Sequence, residues 1–431
     1  MYRKISKFLE EWKNSPFRKP LILQGARQVG KTYAVLEFGR LAYKQVAYFN
    51  FETNPTLMKT FDESVEPAYL LPVLSRIAGK EITEGDTLIV FDEIQLCERA
   101  LTSLKYFAEQ EKDYHVIAAG SLLGVAVNRS AYSFPVGKVD FKTLYPMDME
   151  EFLLALGEEE LVQRIHGCFD SNSPMPAVLH EKALERYRQY LVVGGMPECV
   201  RLYKETKDYT LVRHVQESIF LSYLDDMSKY NNVNEIKKTR LTYQSVTVQL
   251  SKKNTRFQYK LIKKGGRASE FENAIEWLCL SGIVLRVNKV EQIKKPLENY
   301  ADIDSFKIYV SDLGLLCAKK DVVPEDVLYS SEELNDFKGA MSENYVDAQL
   351  VANGYTPYYW ESDREAEVDF VIQRQGRLIP IEVKSADNTR AKSLMVYMDA
   401  YHPDYAIKIS AKNFAFEDNK KIVPLYAVFC I

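Results

Sequence analysis

The sequence lacks the pairings that would staple it or give it a zinc site. Its six cysteines (Cys97, Cys168, Cys199, Cys279, Cys317, Cys430) include no CxxC pair, and its five histidines are equally scattered. A disulfide framework and a Cys/His metal cluster are therefore excluded, a reducing cytoplasm is expected, and no histidine-led mechanism is proposed. No apolar run approaches the roughly 18 residues of a membrane span, so no membrane partner is expected. The opening MYRKISKFLEEWK alternates charge and apolar residues at helical spacing, which fits neither a signal peptide nor an anchor. A strong charge excess is missing too: 56 Lys and Arg against 60 Asp and Glu give −4, which argues against a uniformly basic nucleic-acid coat but permits a local patch. With 431 residues, 46% of them apolar and 27% charged, the chain can bury sizeable cores in two to four domains, and wholesale disorder is excluded.

What is present begins with PLILQGARQVGKTYAVLEFG, where the apolar run Leu21, Ile22, Leu23 leads into a glycine-bounded loop and then helix-forming sequence. Gly25 and Gly30 permit backbone geometry that a side chain would obstruct. Successive N–H groups of Gly25, Ala26, Arg27, Gln28, Val29, Gly30, Lys31, Thr32 and Tyr33 can then surround phosphate oxygens at the positive end of the following helix. Lys31 is expected to contact the β and γ phosphates and Thr32 to offer its hydroxyl to a magnesium ion. The bland alternative is a glycine-rich turn that holds nothing.

Kinases and ATPases share this loop, so a second element has to separate them. In TLIVFDEIQ, the apolar Leu88 to Phe91 predict a buried strand with Asp92 and Glu93 emerging at its carboxyl end. Asp92 is expected to hold the magnesium shell, and Glu93 to orient and deprotonate an attacking water, which favours NTP hydrolysis over transfer to a metabolite. An acidic strand end that merely caps the next helix is the alternative. A third strand, HVIAAGSLL, ends in Ser121, placed between the other two to contact the γ phosphate or the water. Further strands at Val46 to Phe51 and Val139 to Leu144 complete a mostly parallel sheet.

GARQVGKT, YFNFE, FDEIQ, AAGSLL, SFPVGKVDFKTLYPMDMEEFL and YLVVGGMPE, in that order, resemble the bacterial and archaeal AAA-type P-loop ATPases that carry a C-terminal domain of unknown function. The resemblance runs through most of the chain and implies ATP as the nucleotide and a cytoplasmic location. Two positions depart from the family pattern. Lys138 stands in PVGKV where arginine is frequent, and AAGSLL replaces a TGSS-type sequence. Lysine cannot reproduce arginine's two-pronged phosphate contact, so an arginine-finger role at 138 is not expected, and Arg129 is the other candidate.

Residues 176–236 read as a helical connector in which Gly194 and Gly195 either permit movement or simply end a helix. Lys237 to Arg267 contains ten Lys or Arg and no acid, so 31 residues carry +10 and the remainder carries −14. Such a stretch suits double-stranded DNA, whose phosphates it would neutralise, or else a solvated face that packs on acidic surfaces, a partner protein's included. The helical FENAIEWLCLSGIV and the strand-like LRVNKV and FKIYVSD that follow it resemble a winged helix.

Near the C-terminus, EVDFVIQRQGRLIPIEVKS predicts a hairpin turning at Gln375-Gly376, with paired residue numbers summing to 751. Asp369 then faces Glu382, and with Lys384 they share one face, while Val368, Phe370, Ile372, Ile379, Ile381 and Val383 share the other. Facing carboxylates repel unless a cation lies between them. This resembles the carboxylate and ExK arrangement of the PD-(D/E)xK nuclease-like fold, with Glu343 as an additional helix carboxylate. A lysine that only salt-bridges its neighbours on an ordinary hairpin is the alternative.

The fold class expected is therefore α/β: an AAA-type P-loop domain over 1–175, the helical connector over 176–236, a winged-helix-like basic module over 237–328 and a restriction-endonuclease-like α/β domain over 329–431. ATP and Mg2+ are the expected cofactors, and the oligomeric state stays open.

Overall fold

In TLIVFD every residue is buried, as a strand covered on both faces requires, and the computed structural model places it inside a sheet, with a strand on either side. The structure describes residues 1–121, 123, 137–229, 233–250, 256–329, 335–362, 366–384 and 392–431, with the side chains of 229, 335 and 336 excepted. Two units form, one from Tyr2–Tyr145 with Leu280–Gly282, the other from Pro146–Cys279 and Ile283–Ile431 with Met1.

The first unit holds α1 (Ile5–Asn14), β1 (Leu21–Gln24), α2 (Lys31–Ala42), β2 (Gln45–Asn50), α3 (Pro55–Glu63), α4 (Pro67–Ala78), β3 (Thr87–Asp92), α5 (Glu98–Gln110), β4 (His115–Ala119) and β5 (Asp140–Thr143). The five strands run parallel in the order β2-β3-β4-β1-β5. Parallel neighbours need crossover connections, which the helices between β1, β2, β3 and β4 supply. One side of the sheet is sealed by rings: Phe91 meets Phe61, Phe51 and Phe107 at 5.6, 6.0 and 6.3 Å between centroids. The register sets Leu23 beside Ala119, Ala119 beside Asp92, and Asp92 beside Asn50. Four strands thus end on one line, and whatever follows each of them is gathered at that edge.

The second unit opens with helices α6 (Met149–Ala155), α7 (Glu159–Ser171), α8 (Ala177–Val193), α9 (Pro197–Thr206), α10 (Tyr209–Lys229), α11 (Val233–Leu250) and α12 (Ala268–Leu280). It continues through β6 (Val284–Val290), β7 (Ala301–Val310), α13 (Leu313–Lys319), α14 (Pro324–Leu328), α15 (Asn335–Ala352), β8 (Tyr358–Glu361), β9 (Glu367–Arg374), β10 (Arg377–Val383), α16 (Lys392–Tyr401), β11 (Ala406–Ser410), β12 (Ala415–Glu417) and β13 (Lys420–Pro424). Residues 176–236, expected as a connector, are helical but belong to the second unit, which already begins at Pro146 and not at the expected 175/176 boundary. The glycine pair, however, is a close-packing device: Gly194 ends α8 with φ 75°, and a Cβ on Gly195 would lie 2.0 Å from the Met147 carbonyl oxygen.

The strands assigned to a separate winged-helix-like module behave differently from that expectation. β6 and β7 form a hairpin, but β6 also pairs in parallel with β8, so both strands belong to one eight-stranded sheet ordered β12-β13-β11-β10-β9-β8-β6-β7. The boundary placed at 328/329 therefore falls inside a continuous hydrogen-bonded sheet. A helix followed by two strands is a local pattern, and it does not say whose edge the strands will join. The β9/β10 hairpin has the expected register, with Ile381 opposite Phe370 and Arg377 opposite Arg374.

Candidate functional site

At the carboxyl edge of the parallel sheet, Gly25 adopts φ 145°, and a Cβ there would meet the Leu144 carbonyl oxygen at 2.1 Å. The loop turns back through Gln28 at φ 67° and Gly30 at φ 91°, which caps α2. Ala26 and Val29 are buried, Arg27 is half-buried, and Gln28 and Tyr33 face solvent. The Arg3 guanidinium braces the loop by donating to the Val29 and Tyr145 carbonyls, each at 2.8 Å. Lys31 is buried, and its ammonium donates to the Gly25 and Ala26 carbonyls at 2.9 and 2.8 Å. Gly25→Ala is expected to impose backbone strain of about 1–3 kcal/mol as well as the Leu144 clash. A lower melting temperature and lost binding of a fluorescent ATP analogue would both register it.

Across from the loop, the Thr32 hydroxyl donates to Asp92 Oδ2 at 3.0 Å, and the Tyr48 hydroxyl from β2 donates to the same oxygen at 2.6 Å. Asp92 Oδ1 accepts the Glu93 N–H at 3.1 Å. Burial, with the Asp92 carboxylate second, pushes the Tyr48 phenol up to about 12, so it stays a donor at neutral pH. Glu93 sits in the left-handed region at φ 52°, and its carboxylate accepts a hydrogen bond from the Gln95 side-chain amide. The Gln95 oxygen packs where a Cβ of Gly120 would stand, at the end of β4. Ser121 is buried one residue further on, and β4 lies between β1 and β3. Loop, Asp92, Glu93 and Ser121 are therefore brought to one edge. A hard cation suits this donor set, because a threonine hydroxyl and a carboxylate already converge at one point.

Tyr48, Gln95 and Arg3 were not singled out from the sequence. The alternation of β2 could have flagged Tyr48, since it sets this large ring on the exposed face between buried Ala47 and Phe49, but Arg3 left no local signal. Lys138 pairs with Glu109 of α5 at 3.0 Å. Arg129 lies outside the described residues.

In the second unit, Glu343 on α15, Asp369 on β9, and Glu382 and Lys384 at the end of β10 are brought together. The Lys384 ammonium contacts Glu382 Oε1 at 2.5 Å, and Asp369 Oδ2 accepts the Val383 N–H at 2.7 Å. Burial, then the Glu343 and Glu382 charges, holds the Asp369 carboxyl well above the usual carboxylate range, and burial also raises Glu382. Three groups missed from the sequence stand among them: Lys307 of β7, Glu367 of β9, and Asp347 one turn beyond Glu343. Lys307 pairs with Glu343 at 3.7 Å and with Glu367. Among the described residues no group of three or more His, Cys, Asp or Glu is arranged to hold a metal ion. Of these carboxylates, Glu343 and Glu367 pair with Lys307, and Glu382 pairs with Lys384.

Of the basic stretch, Lys238 pairs with Glu235 at 2.9 Å, Arg240 donates to Leu224 and Ser228, and Lys263 pairs with Glu270 at 3.3 Å. Lys237, Lys260, Lys264 and Arg267 are exposed, and Lys252 and Lys253 lie outside the described residues. No helix among the described residues is long and apolar enough to cross a membrane.

The parallel sheet and glycine-turned loop of the first unit agree with the family comparison, in which residues 17–153 match the AAA domain. Residues 184–326 and 338–428 match two domains of unknown function, DUF8612 and DUF4143. Similar solved structures include the Walker-type ATPase of Pyrococcus abyssi, 14% identical, with TM-score 0.45 over 73% of this chain and 94% of that one. The ORC2 protein of Aeropyrum pernix in its ADPNP-ADP complexes is 11% identical, with TM-score 0.34 over 77% and 94%. The ORC1 protein of Aeropyrum pernix in complex with DNA is 13% identical, with TM-score 0.28 over 74% and 91%. No curated protein matches the sequence.

Proposed function

We propose that this protein is a Mg2+-dependent ATPase that couples ATP hydrolysis to the handling of DNA or a partner protein, working in the cytoplasm. The observation that carries the reading is the convergence of the Thr32 hydroxyl and the Asp92 carboxylate at 3.0 Å beside Glu93, at the mouth of a glycine-turned loop. Backbone N–H groups of the loop cradle the phosphates, and Lys31 exchanges its carbonyl partners for phosphate oxygens. Thr32 and Asp92 would hold a magnesium ion, which would supply positive charge against that of the phosphates. Tyr48 fixes the rotamer of Asp92. Glu93, aimed by Gln95, takes a proton from the attacking water, and Ser121 contacts the γ phosphate.

The exposed Lys237, Lys260, Lys264 and Arg267 support DNA as the handled polymer. Four phosphate contacts predict that log affinity for a duplex falls with log salt at a slope of about −3.6, and replacing all four with glutamine should flatten it nearly to zero. The C-terminal strands are read as nuclease-like in arrangement. The lysines among their carboxylates favour a catalytically silent domain, and with it the alternative in which ATP switches a binding surface.

Hydrolysis measured with and without duplex DNA, in wild type and in Glu93→Gln, tests the reading, with the DNA checked for nicks. Turnover lost in the variant and raised by DNA supports the coupled engine. ATP binding with no turnover under any condition leaves the switch, and nicks would return cleavage chemistry to the C-terminal site.

A further inference from the structure

We propose that Lys307 is the resident cation of the C-terminal carboxylate cluster, its ammonium standing where a divalent ion would otherwise bind, and that removing it opens a divalent-cation site. Lys307 is 1% exposed on β7. Its ammonium contacts Glu343 and Glu367 and lies 5.1 Å from the centroid of the Tyr359 ring, whose face favours a cation. The Tyr309 hydroxyl, two residues along the same strand, donates to Glu343 Oε2 at 3.1 Å. One strand thus presents a cation and a donor to a carboxylate from α15 and another from β9.

Around this pair lie buried acids with oxygens that accept no hydrogen bond. Glu382 is 3% exposed and its Oε2 has no partner, and Asp347, fully buried, has none for either oxygen among the described residues. Buried carboxylates persist only when paired or when they bind a cation. Two lysines answer here, Lys384 at Glu382 and Lys307 at Glu343 and Glu367. A divalent ion needs several oxygen ligands at 2.0–2.6 Å, and a lysine anchored in a strand cannot vacate the position for it without leaving its own charge buried and unpaired. The nuclease-like arrangement is therefore locked by an internal charge, and its natural ligand is the protein's own ammonium group.

The test uses full-length protein without nucleotide, titrated with Mn2+ while free Mn2+ is followed by its EPR signal. Wild type, Asp369→Asn, Lys307→Met, Lys307→Gln and Lys307→Met with Asp369→Asn are compared. Wild type and Asp369→Asn should bind Mn2+ identically. Each Lys307 variant should gain one Mn2+ per chain, about tenfold or more tighter than any wild-type site at ordinary carboxylate affinities, and Asp369→Asn on top should remove it. Lys307 variants that keep the wild-type circular dichroism spectrum yet gain no Mn2+ overturn the proposal. So does a wild-type Mn2+ site that Asp369→Asn abolishes, since an ion would then share the cluster with Lys307. If neither Lys307 variant folds, that wild-type comparison decides alone: equal binding supports the resident cation, and unequal binding refutes it.

Discussion

Glu93→Gln is expected to lower kcat for ATP hydrolysis about 10²- to 10⁴-fold, the range that a positioned general base contributes, with ATP affinity retained. The amide copies the shape of the carboxylate but cannot accept the water's proton. Binding should survive, because the groups proposed to hold the phosphates and magnesium are elsewhere, in the Gly25-to-Lys31 loop and at Thr32. Asp92 keeps its three hydrogen bonds from Thr32, Tyr48 and the Glu93 backbone, none of which involves the substituted atoms. Steady-state hydrolysis set beside isothermal titration with ATP measures both quantities. A variant that turns over at the wild-type rate would remove Glu93 from the mechanism, and one that loses ATP binding would show that the loop depends on it structurally.

The second large effect concerns stability and pH. Asp312 is buried at the start of α13, where it accepts the Leu315 N–H at 2.9 Å and the Gly195 N–H at 2.7 Å, with those of Gly314 and Met196 also directed at it. Burial pushes its carboxyl from 3.8 up to about 6, against those backbone donors. Below pH 3.8 the group is protonated in folded and unfolded chains alike. As pH rises from there through about 6, the unfolded chain ionises first and the folded one keeps its proton, so this group's stability is lost across that window. The loss is about 1.4 kcal/mol per pH unit and roughly 3 kcal/mol in all. Asp312→Asn removes the titration, so the stability difference between wild type and variant should shift toward the variant by most of that amount between pH 4 and pH 7. Urea unfolding of the transition belonging to this unit, followed at several pH values, gives the difference. A flat difference would mean that the carboxyl ionises in the folded chain as easily as in water.

The ATP loop was legible in the sequence because its chemistry is local. Gly25, Gly30, Lys31 and Thr32 lie within eight residues, and each glycine answers to a backbone angle set by its immediate neighbours. The C-terminal hairpin was legible for the same reason: a two-residue turn at Gln375-Gly376 sets the register, which holds from Arg377 opposite Arg374 to Ile381 opposite Phe370. The supposed winged helix shows the opposite case. Its helix and strands are where the pattern puts them, yet pairing of Asn288 with Tyr358 carries the hairpin into the larger sheet, across some seventy residues that no local rule spans.

Motif spacing, turn residues and strand alternation could place a glycine-bounded loop between a strand and a helix at residues 25–30 and a hairpin turning at Gln375-Gly376, since turn geometry and strand period are properties of adjacent residues. They could not say that Tyr48 holds Asp92, that the Gly195 N–H is held by Asp312, or that Lys307 lies between Glu343 and Glu367. Those contacts join residues 36 to 117 positions apart in the chain. Their existence depends on which buried charge finds which partner once water is excluded, and only the assembled core decides that.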